Sequence, residues 1–164
     1  MCRAGTIRGV VQDMYQDPRT IAVLPVGALV FDYSLTFLLS GSREFLLQYE
    51  ASPLLRYAVA LDLVPLLVLL LVAFYYAAAL LVLRALAGTD LYPLGVALVA
   101  LVSLTHLLGG MSWYMKNTLY SDTVIGLSLI SIMVAVVIFG YAIIGHHYRV
   151  TRGQNPGSGR NGFG

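Results

Sequence analysis

Five residues have the type and placement to do chemistry in this 164-residue chain: Asp32, Thr36, Glu50, Asp62 and His106. Asp32 and His106 sit inside long apolar runs, where a charged side chain costs about 2.5–3.5 kcal/mol on insertion scales. Ionisable groups in such places face a bundle interior or a wet cavity, and they mark binding or proton sites. An Asp, a Glu and a His supply the donors of a divalent metal site such as zinc or manganese. The same groups can hold a proton or a small polar ligand. Asp62 is the weaker member, because it falls at the rim of an apolar run and can pair there with Arg56.

These residues need elements to position them, and composition says what kind. Hydrophobic residues make up 59% of the chain and charged residues 11%, against about 25% charged in soluble domains. That excludes a disordered chain, a disulfide scaffold and a nucleic-acid binder. The single Cys2 cannot bridge internally. A membrane-crossing helix needs about 20 mostly apolar residues. Four stretches qualify: Thr20 to Ser40, Leu63 to Leu83, Pro93 to Trp113 and Thr123 to Gly145. Each is too long for a strand, and backbone in lipid must pair within itself, which predicts an all-α, four-helix transmembrane bundle.

The punctuation agrees. Pro18 precedes the first span, and Ser40-Gly41-Ser42 ends it. Pro53 opens the second, at a position where a missing N–H costs nothing. Gly88 and Pro93 separate the second from the third, and Ser121 or Asp122 is the expected N-cap of the fourth. The first apolar run exceeds the length of a signal-peptide core and carries Asp32, so it reads as a retained span. Residues 1–19 form a polar cytoplasmic segment, residues 20–148 the transmembrane domain, and residues 149–164 a disordered tail. His146 and His147 read as interfacial anchors.

Seven Arg lie on the side of the termini and three Arg or Lys on the other, which predicts a plasma-membrane protein with both termini cytoplasmic. Asp32 then lies about 12 Å below the outer end of its helix and His106 about 10 Å below the same surface. Ser128 and Ser131 of the fourth span reach about 10–15 Å. Asp32 and Thr36 share a face, and Ser103, His106, Gly110, Trp113 and Asn117 form one stripe on the third helix. Polar groups thus gather in the outer half of the bundle. Between the first two spans, the run Phe45 to Tyr49 can lie at the interface or fold back as a lid, among the aromatic residues of a membrane belt. Glu50 also suits a helix start, where the dipole favours an acid.

Asp32-x-x-x-Thr36, followed by Glu50-Ala51-Ser52-Pro53, resembles a family of small four-helix membrane proteins of archaea and bacteria. That family pairs Asp-x-x-x-Thr in its first helix with Glu-x-Asn-Pro before its second. Ser52 stands here in place of the Asn, and the match spans about 25 residues. The family has no assigned function, but the resemblance implies that Asp32, Thr36 and Glu50 belong to one site.

Other chemistries lack their residues. There is no His-Glu-x-x-His and no Gly-rich phosphate loop. Gly110-Met111-Ser112 lacks the Gly that would complete a nucleophile motif, and His106 has no intramembrane His partner for haem. Three readings remain. The favoured one is a membrane protein binding a cation, either a divalent metal or a proton, or a small polar ligand in an outward-facing cavity. The second is a structural or accessory subunit whose polar stripe serves assembly, with a homo-oligomer or another membrane protein as partner. The third is a metal-dependent hydrolase using the same residues.

Overall fold

The computed structural model describes residues 15–115 and 117–153. The described residues form helices and turns only. Helix α1 spans Pro18–Ser40. It begins where Asp17 caps it, accepting the Arg19 N–H at 3.0 Å and the Thr20 hydroxyl at 2.6 Å. These two bonds, the Thr20 bond first, hold the Asp17 carboxyl below its ordinary range. The helix ends at Gly41, whose φ of +71° suits glycine.

Two short helices follow. Helix α2 spans Arg43–Tyr49 and α3 spans Pro53–Ala60, capped by Ser42 and Ser52 through bonds to the N–H of Phe45 and Leu55. Pro53 therefore opens a separate helix and not the second span itself. The chain breaks at Leu61–Leu63, where Asp62 takes φ +57°, and α4 runs from Val64 to Leu86. Helices α5 (Tyr92–Met115) and α6 (Thr118–Gly153) complete the fold.

Helix α6 starts five residues before the predicted Thr123. Its cap is Asn117, not Ser121 or Asp122: the Asn117 side-chain oxygen accepts the N–H of Leu119 at 2.9 Å and of Tyr120 at 3.5 Å. Ser121 instead sits inside the first turns, and its N–H bonds the Asn117 carbonyl. Loss of such a cap costs about 1 kcal/mol. Asn117→Ala is expected to lower resistance to unfolding by that amount, read from denaturation of the purified protein in mild detergent. At its far end α6 continues to Gly153, beyond the predicted end of the domain at residue 148, and residues 154–164 lie outside the described ones.

Four helices are long and apolar enough to cross a membrane: Pro18–Ser40, Val64–Leu86, Tyr92–Met115 and the Thr118–Tyr141 portion of α6. Their outward surfaces carry large apolar side chains, among them Leu38, Leu69, Met133 and Val137. This is a multi-pass membrane protein, a bundle that is apolar outside as well as inside. Helix α1 packs most extensively on α5 and next on α4, while α6 lies against α5 and α4. Among the described residues the backbones of α1 and α6 do not approach each other closely.

Apolar clusters close both ends. Ile21, Ala22, Ala79, Leu83 and Val99 pack near the start of α1. At the other end Leu46 of α2 is buried to 2% exposure against Leu55 and Val59, with Tyr33 and Trp113 beside them. The segment between the first two spans thus folds back over the bundle end. Asp32 and His106 lie between the two clusters.

Candidate functional site

The site begins with a glycine. A Cβ at Gly110 would stand 2.9 Å from the Asp32 Cα and 3.3 Å from its carbonyl oxygen. Only a residue without a side chain lets α1 and α5 approach that closely, as small residues do at helix seams in lipid. Close approach aims the Asp32 carboxylate along the α5 surface towards His106, one helical turn before Gly110. Asp32 Oδ2 lies 2.9 Å from His106 Nδ1. The two side chains are 18% and 19% exposed, so the pair is largely sheltered. A third helix contributes Tyr75, whose ring meets the imidazole edge-on at 5.0 Å.

The pair has a defined proton logic. With Asp32 ionised, Nδ1–H donates to the carboxylate; with Asp32 protonated, the carboxyl donates to Nδ1. An imidazolium beside a carboxylate is neutral overall, and release of one proton leaves a single negative charge. Among the described residues the His106 ring is hydrogen-bonded through Nδ1 and not through Nε2.

The other expected residues fall at graded distances. Thr36 is buried at 2% exposure, one turn from Asp32 on the same helix. Glu50 sits between α2 and α3, where Oε1 accepts the Ser52 N–H at 2.8 Å. No hydrogen bond joins it to the pair, although the charge of Asp32 reaches it. Burial pushes the Glu50 carboxyl above its ordinary value of 4.5; the Ser52 N–H opposes this, and Asp32 adds to it. A carboxyl that binds its proton more tightly when folded gives a stability that is greatest below the unfolded value and falls as pH rises towards the folded one. Glu50→Gln keeps the acceptor for Ser52 and removes the titration. It is expected to flatten the decline in stability above pH 4.5, measured as detergent-solubilised melting against pH.

Asp62 does not join the site. It is 80% exposed and pairs with Arg43 at 3.0 Å, not with Arg56. The turn at Leu61–Leu63 carries it away from the bundle axis and towards α2. Ser131 is also elsewhere: its hydroxyl bonds the Leu127 carbonyl and lies 3.3 Å from the Thr105 hydroxyl, fastening α6 to α5 on a different face from His106. Tyr120 adds a second fastening there, donating to the Leu108 carbonyl at 2.9 Å. Among the described residues no three His, Cys, Asp or Glu side chains gather where one metal ion could bind. Asp32 and His106 therefore stand as a pair with Glu50 as a neighbour, not as a three-donor ligand set.

Tyr75 and Thr105 are not among the residues that the sequence singles out. A depth count would have found Tyr75, which lies eleven residues into α4, about 16 Å by helical rise. That is close to the level of His106, nine residues from the end of α5. No family model, curated protein or solved structure matches the chain, so the site itself is the ground for any functional reading.

Proposed function

We propose that this is a proton-responsive multi-pass membrane protein in which the Asp32–His106 pair takes up and releases a proton. The observation that carries the reading is the 2.9 Å contact between two titratable groups on different helices, each deep within a span. A neutral hydrogen-bonded glue would need neither a carboxylate nor an imidazole, since Ser, Thr or Asn serves that purpose at lower cost in lipid. The charge split of the Arg and Lys residues favours cytoplasmic termini in a plasma membrane, which places the pair towards the outer leaflet. The resemblance carried by Asp32, Thr36 and Glu50 fits a site at this end of the bundle. A proton needs only the two groups that touch, whereas a metal needs a fuller set of donors.

The test is pH-difference infrared spectroscopy of the full chain in lipid. A carboxyl band and an imidazole band are expected to titrate together, and both to vanish in Asp32→Asn and in His106→Gln. A pair that shows no protonation change across the range where the bundle stays folded would overturn the proposal. That outcome would favour a second reading, in which the pair is a latch for the α1–α5 seam. The close approach at Gly110 is the observation on that side, because it gives the pair a packing role whether or not it titrates.

A further inference from the structure

A groove on the lipid-facing side, separate from the Asp32–His106 pair, has the shape and polarity of a phospholipid. It is an open groove between α1 and α4 with a volume of about 510 Å³, walled by Val30, Tyr33, Phe37, Val64, Val68 and Val72. At its upper end Phe37 and Val64 are shared with a second cavity of about 320 Å³, whose rim carries Ser40, Ser42, Arg43 and Asp62. The two adjoin at Phe37 and Val64, the first walled mostly by apolar side chains and the second charged at its rim. From Ser40 to Val30 is ten residues of helix, about 15 Å, which is half of a hydrocarbon core about 30 Å thick. The groove therefore reaches as deep as one acyl chain of one leaflet.

The mouth selects the headgroup. Arg43 gives one N–H to the Ala60 carbonyl at 3.0 Å and lies 3.0 Å from Asp62. A guanidinium has five N–H donors, so three remain for a phosphate. Asp62 is bonded to Arg43 through one oxygen and is held outward by its left-handed backbone, 80% exposed. Its remaining lone pairs suit a primary ammonium. We infer that the α1–α4 groove binds a bilayer phospholipid with a zwitterionic aminoethyl-phosphate headgroup, the phosphate on Arg43, the ammonium on Asp62 and one acyl chain along Phe37, Val68 and Val72. A quaternary ammonium has no N–H to donate to Asp62, so a choline headgroup is the weaker ligand. The site stands independently of the proton reading.

Native mass spectrometry of the full chain in mild detergent, titrated with phosphatidylethanolamine or phosphatidylcholine, tests this. The ethanolamine lipid is expected to be retained about threefold more, the worth of one exposed ion pair. Asp62→Asn should bring the two lipids level while preserving the turn, because Asn tolerates a positive φ. Arg43→Gln should reduce retention of both. Val68→Trp, filling the groove, should do the same. Helical circular dichroism of each variant reports that the bundle is intact, and the two charge variants at exposed positions carry the test should the Trp variant misfold. Equal retention of the two lipids by the unaltered chain would overturn the inference. So would full retention in a folded Val68→Trp protein, or a dimer in place of the lipid adduct, which would assign the groove to a second copy.

Discussion

Gly110→Ala is expected to loosen the whole α1–α5 seam. The added Cβ would lie 2.9 Å from the Asp32 Cα, a backbone atom that cannot swing aside as a flexible side chain would. Overpacking of this kind costs about 1–3 kcal/mol. The substitution also removes a glycine from the interior of α5, which by itself would stabilise by about 0.5–1 kcal/mol. Steric cost wins, because α1 has its most extensive contact on α5 and both backbones must shift for the methyl to fit. The neighbouring glycine is the control. A Cβ at Gly109 would meet the Asp32 carboxylate oxygens at 3.4 and 3.5 Å, ordinary contact with the end of a side chain. Gly109→Ala carries no such steric cost and should be neutral to stabilising, by up to about 1 kcal/mol. Equilibrium unfolding by an added denaturing detergent compares the two, and equal stabilities would mean that the close approach at Gly110 is not a constraint.

Asp32→Ala is the second large effect. It leaves the His106 Nδ1 facing an apolar seam without its partner, and an unsatisfied sheltered polar group costs about 1–3 kcal/mol. Asp32→Asn keeps an oxygen that can accept from Nδ1–H and should cost less than about 1 kcal/mol. The contrast separates the two roles of the residue. If Asn restores stability but abolishes every pH-dependent signal of the pair, the hydrogen bond supports the fold and the charge supports the function. Equal destabilisation by Ala and Asn would show that the ionised carboxylate itself holds the bundle together.

Much of this was written in the chain. The four spans followed from length and hydropathy, and the shared depth of Asp32 and His106 followed from counting residues along two helices. Gly110 stood out in the sequence only as a member of the α5 stripe, and the helix that approaches it there, α1, was not legible. Three features were hidden for physical reasons. The short α3 and the break at Leu61–Leu63 look continuous with α4 by hydropathy, because Leu61 and Leu63 are apolar and Asp62 is one of the few non-glycine residues that tolerates a positive φ. The sequence pairs Asp62 with Arg56, six residues away, whereas the turn directs it to Arg43, nineteen residues away, which spacing does not reveal. Ser131 and His106 share a depth, but they face different seams. Thr105, beside His106 in sequence, points about 100° away around α5 and takes Ser131 as its partner. Depth is readable from residue counts; the rotation of one helix against another is set by packing.

The central claim is that Asp32 and His106 form one hydrogen-bonded pair within the bundle when it lies in a bilayer. Solid-state NMR of the full chain in lipid measures this directly, through the dipolar coupling between the Asp32 carboxyl carbon and the His106 Nδ1 nitrogen, with His106→Gln used to assign the histidine signal. The 2.9 Å contact between Oδ2 and Nδ1 predicts a strong coupling and a ring nitrogen shifted by a charged acceptor. An unperturbed His106 ring with no coupling to the Asp32 carboxyl would contradict the account.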